Sequence, residues 1–70
     1  MMTWNEREAY KDIAQLCMQR KEHCLEVYNE IKDDKEIDRD SKIVVLEHRR
    51  GQIIAYEDIY NEIAKILGEN

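Results

Sequence analysis

Apolar side chains recur on a seven-residue ladder in each half of the chain. Tyr10, Cys17, Cys24 and Ile31 form the first, and Leu46, Ile53, Tyr60 and Leu67 the second. Rungs seven apart, with apolar companions three or four residues away, lay one buried stripe along an α-helix. The companions are Ile13, Ala14, Val27 and Tyr28 in the first half, and Ile43, Tyr56 and Ile63 in the second. Between the halves runs a charged break, Asp33 to Ser41, in which Ile37 is the one apolar residue. Two striped helices around a short break predict an all-α chain folded back as an antiparallel hairpin. The expected domain is single and spans residues 1–70. Its helix one covers about 4–33, its acidic turn about 34–41 and its helix two about 42–67.

Local signals set these boundaries. Thr3 followed by Glu6 fits a capping box, in which hydroxyl and carboxylate each satisfy an orphan backbone N–H. Asp40 or Ser41 suits the start of helix two, and Gly68 suits its stop. With no Gly or Pro in the break, an extra helical turn could form there, and Ile37 should fold over the end of the bundle. Folding about Ile37 pairs residues whose numbers sum to roughly 74, which sets Ala14 against Tyr60 and Cys24 near Arg49 and Arg50. Both stripes carry a polar interruption: Arg20-Lys21 in the first, and His48-Arg49-Arg50-Gly51 in the second.

Composition supports helices and narrows the function. The chain has 70 residues, 43 % hydrophobic and 39 % charged, with no Pro, no Phe and two Gly. That balance fits long helices rather than a sandwich or a disordered tail. A chain this short sits where one core is marginal and assembly often helps. The net charge is −5. Residues 1–32 contribute −1, residues 33–41 contribute −3 and residues 42–70 contribute −1. The acidic excess is thus concentrated at the turn. A phosphate-backbone binder shows the opposite bias, so generic nucleic-acid binding is disfavoured. The start, Met1-Met2-Thr3-Trp4, has no basic n-region or signal-length apolar run, and no stretch approaches the ~20 apolar residues of a membrane span. A cytoplasmic protein is expected.

The sequence holds few groups able to do chemistry. Cys17 and Cys24 lie about 10 Å apart along one helix, too far for a disulfide between them, so they read as reduced thiols packed in the stripe. His23 and Cys24 are adjacent and diverge by about 100° on a helix, which suits neither a shared metal ion nor a thiol–imidazole pair. No Glu stands three residues before a His, the spacing of di-iron bundles. The acidic turn fails as a calcium loop. With Asp34 at its first position, Arg39 falls where glycine is required and Val45 where the bidentate Glu belongs. No Gly-rich phosphate loop is present. No enzyme, cofactor or metal is expected.

Surplus apolar surface is the stronger clue. Val44, Val45, Ile54, Ile59 and Ile66 on helix two, with Leu16, Met18 and Leu25 on helix one, fall outside the hairpin stripe. Val45, Gln52, Ile59 and Ile66 recur every seven residues and define a second face on helix two. A helix with two apolar faces sits between partners. The expectation is a homodimeric four-helix bundle, serving as a small protein–protein interaction module without chemistry of its own. Its role would be that of a regulator, adaptor or inhibitor, of a kind encoded by phages and mobile elements. An alternative is a structured-RNA binder using the basic patch Arg20, Lys21, His48, Arg49 and Arg50. A weaker one is a metal or redox role for Cys17 and Cys24. The local reading of the arginines is pairing with Glu22, Glu26 and Glu47.

Overall fold

The computed structural model describes residues 2–69, and they form two helices in an antiparallel hairpin. Helix α1 spans Trp4–Asp33 and α2 spans Arg39–Glu69. Thr3 opens α1: its hydroxyl accepts the Glu6 N–H at 3.2 Å, and its carbonyl accepts the Arg7 N–H at 3.0 Å. The reciprocal bond from the Glu6 carboxylate does not form, so half of the expected capping box is present.

The link between the helices is shorter than expected. Asp34 leaves the helix with an extended backbone (φ −75°, ψ 117°), while its N–H reaches back to the Ile31 carbonyl at 3.2 Å. Its carboxylate then accepts the Glu36 N–H at 2.8 Å, a local turn held by a side chain. Residues 35–37 bend without an added helical turn. Asp38, rather than Asp40 or Ser41, caps α2. Its carboxylate accepts the Ser41 N–H at 3.2 Å, which lets the helix start at Arg39 instead of Lys42. At the other end α2 continues through Gly68 to Glu69. No glycine takes a positive φ, so Gly68 does not serve as a left-handed stop.

Each helix start also caps the other helix's end. Lys42 Nζ donates to the Lys32 carbonyl at 3.1 Å, and Arg7 Nη1 donates to the Leu67 carbonyl at 3.3 Å. Both are cations on the negative ends of helix dipoles. Both pairs also sum to 74, the register expected from the sequence.

All eight ladder residues turn inward. Tyr10, Ile31, Leu46, Ile53, Tyr60 and Leu67 are half-buried, while Cys17 and Cys24 are 7 % and 5 % exposed. Ile63, at 6 %, is the remaining buried residue among those described. Ile13 and Ile43, expected in the stripe, are exposed instead. In a seven-residue frame each falls one step to the side of the ladders that meet, and a rod of two helices has nothing beyond the seam to cover them.

The hairpin is a rod. Its Cα atoms extend 52 × 13 × 12 Å with a radius of gyration of 16.0 Å, against about 11 Å for a compact domain of this length. No side chain among the described residues is fully buried.

Candidate functional site

The middle of the seam is polar, and its contacts define the two broad sides of the rod. Lys21 and Arg49 stand where the stripes would have apolar residues, and both are half-buried. Lys21 Nζ reaches Glu57 at 3.4 Å across the hairpin. Arg49 Nη1 donates to Gln52 Oε1 at 3.1 Å, and the Cys24 thiol donates weakly to the same oxygen at 3.7 Å. The two cross-helix pairs sum to slightly more than 74, as expected where helical side chains are set toward the N-terminus of their own helix. Lys21 and Arg49 are therefore each paired, and no described buried side-chain N or O lacks a hydrogen bond.

On α1, the ladder of Ile13, Arg20 and Val27 flanks the Cys17–Cys24 row, while Met18 and Leu25 flank the Lys21 row on the opposite edge. On α2, Val45, Gln52, Ile59 and Ile66 flank the Arg49 row, and Ile43, Arg50 and Glu57 flank the other. The Cys24–Gln52 contact therefore puts Ile13, Arg20 and Val27 on the same side of the hairpin as Val45, Gln52, Ile59 and Ile66. The Lys21–Glu57 pair puts Met18 and Leu25 with Ile43 on the other.

Val45 and Ile59 are exposed, while Gln52 and Ile66 are half-buried, with Gln52 bound into the polar centre. Sequence reasoning missed the α1 half of this side. The signal was available, since Ile13, Arg20 and Val27 are also seven apart, and each ladder carries a polar residue in its middle.

The candidate basic patch does not converge. Lys21 and Arg49 lie in the seam, Arg20 faces one side and Arg50 the other, and His48 is exposed beyond the Arg49 row. Successive helical residues diverge by about 100°, which makes this splitting unavoidable for His48-Arg49-Arg50. Of the carboxylates expected to pair with the arginines, Glu47 meets Arg50 at 4.0 Å, and Glu22 and Glu26 make no ion pair.

Cys17 and Cys24 are free thiols in the seam. His23 and His48 are exposed, and among the described residues no three or more His, Cys, Asp or Glu side chains gather as a metal site would need. A cavity of about 120 Å³ opens beside Cys17, Tyr56 and Tyr60, under the Lys21–Glu57 pair. Small-molecule sites run to roughly 300–1,000 Å³, so it holds little more than solvent. No described helix is long and apolar enough to cross a membrane. Comparison with protein-family models, with curated proteins and with solved structures finds no match to this chain.

Proposed function

We propose that the chain is a non-catalytic protein–protein interaction module that works through its helical faces. Its first partner is a second copy, with which it forms a four-helix bundle, and it acts in the cytoplasm as a regulator, adaptor or inhibitor of another protein. One observation carries this reading: a single hairpin leaves too much of itself in water. The accessible surface is 5595 Å² for 8.5 kDa. A compact monomer of that mass exposes roughly 4,700 Å². The excess, roughly 900 Å², is close to the ~800 Å² that each partner gives up in a standard interface. Ile13, Leu16, Ile59 and Val45 supply part of that area from one side of the rod.

At ~25 cal/mol per Å² of apolar area, covering even a fraction of this surface contributes several kcal/mol. Small domains have net stabilities of similar size. The RNA reading has less to rest on, because the five cations are spread over the seam and both sides. The test is a melting series over about a hundredfold range of concentration. The melting temperature should rise with concentration, as mass action requires. Replacing Ile59 and Ile66 by Lys should remove that dependence. A wild-type melting temperature independent of concentration would count against self-association.

A further inference from the structure

Nothing in the backbone of the link between the helices demands a bend. Residues 34–38 include no Gly or Pro, and no described residue takes a positive φ. Side chains hold the bend instead: the Asp34 carboxylate accepts the Glu36 N–H at 2.8 Å, and that of Asp38 accepts the Ser41 N–H at 3.2 Å. The two ladders also agree in phase across the link. Each rung of the second lies 36 residues after a rung of the first, which is ten turns at 3.6 residues per turn. Seven residues fall about 20° short of two turns, so on one straight helix all eight rungs stay within a sector of roughly 60°. A helix running through the link would carry one unbroken stripe. Two such helices, antiparallel about a two-fold axis at Ile37, reproduce the register of 74 with α1 of one copy against α2 of the other. The bonds of Lys42 to the Lys32 carbonyl and of Arg7 to the Leu67 carbonyl would then join the two copies.

Charge opposes that exchange. On a straight helix Asp34 and Asp38, Lys35 and Arg39, and Glu36 and Asp40 stand four residues apart, three like-charge pairs on neighbouring turns. The two-fold axis repeats the conflict between copies, because a register of 74 sets Asp34 level with Asp40, Lys35 with Arg39, and Glu36 with Asp38. In the bent chain Asp34 and Asp38 accept backbone N–H groups instead. We propose that the charged link is a latch that keeps the chain folded on itself, and that neutralising it releases a swapped dimer in which a second copy of this chain supplies the facing helix of each seam. The latch does not rest on the four-helix bundle proposed above, in which every hairpin stays closed.

Length separates the two states. The hairpin is 52 Å long, whereas a straight helix over residues 4–69 runs about 100 Å at 1.5 Å per residue. The test is the double variant Asp34→Ala, Glu36→Ala, which removes two of the like-charge pairs and the bond that holds the bend, and leaves the Asp38 cap in place. Small-angle X-ray scattering at high micromolar concentration should show its maximum dimension roughly doubled over wild type, with a mass of two chains by sedimentation. Adding Ile37→Pro, which a continuous helix does not accept, should restore the short particle. A double variant that stays as short as wild type, or that loses its helical circular dichroism, would overturn the latch. So would a long particle that persists with Ile37→Pro, since it would not be a continuous helix, or a wild-type particle that is already about 100 Å long. A wild-type chain that is short and monomeric would count against the four-helix bundle alone and leave the latch standing.

Discussion

Ile63→Ala is the substitution from which this hairpin has most to lose. Ile63 is 6 % exposed and is one of three buried residues among those described, the others being the small side chains of Cys17 and Cys24. The change removes three buried carbons at about 0.8 kcal/mol each, a transfer loss of about 2.4 kcal/mol. The cavity contribution should be small, because a rod with open flanks can collapse around the site, so about 2–3 kcal/mol is the expected cost. At about 0.05–0.15 kcal/mol per residue, a 70-residue chain has about 4–10 kcal/mol in total. One substitution would then remove about a fifth or more of the stability. Far-ultraviolet circular dichroism, at fixed protein concentration, should show the melting temperature falling by about 10–20 °C. Val44→Ala is the comparison: Val44 is 68 % exposed and points away from the seam. Its loss of packing should stay under about 0.5 kcal/mol, offset by the better helix propensity of Ala. Equal losses at the two positions would refute the claim that the seam holds the hairpin together.

Three further outcomes follow from the same geometry. Gly51 lies inside α2, and a Cβ there would meet no atom within 4 Å, so Gly51→Ala should raise stability by about 0.5–1 kcal/mol in denaturant titration. No gain would mean that the glycine has a role the fold does not reveal. Asp38→Ala removes the carboxylate that caps α2 and should cost about 1 kcal/mol, with the first turn of α2 losing amide protection before the rest. Cys17 and Cys24, buried in the seam, should react with Ellman's reagent slowly in the native protein and at once in denaturant. Fast native labelling of both would place them on the surface.

The ladders made the hairpin and its register legible, because a seven-residue repeat has one helical interpretation and an antiparallel fold has one pairing direction. The ends were less legible for a definite reason. Asp38, Asp40 and Ser41 are all good caps, and the choice of Asp38 depends on where the bend at residues 35–37 releases the chain. Ile13 and Ile43 read as stripe residues because apolar character alone does not separate a seam position from its neighbour. What separates them is the position of the facing helix. Lys21 and Arg49 read as defects, since a sequence does not display the ion pair of Lys21 with Glu57 or the hydrogen bond of Arg49 to Gln52. The second side was half legible: its α2 ladder stood out, while its α1 ladder was interrupted by Arg20 and merged with the seam.

We propose that one hairpin is an incomplete core that a second copy completes. Sedimentation equilibrium of the wild-type protein over micromolar to high micromolar concentration measures this directly. The expected mass is about 17 kDa, twice the 8.5 kDa chain, with dissociation only on dilution. A single species of 8.5 kDa at high micromolar concentration would contradict it.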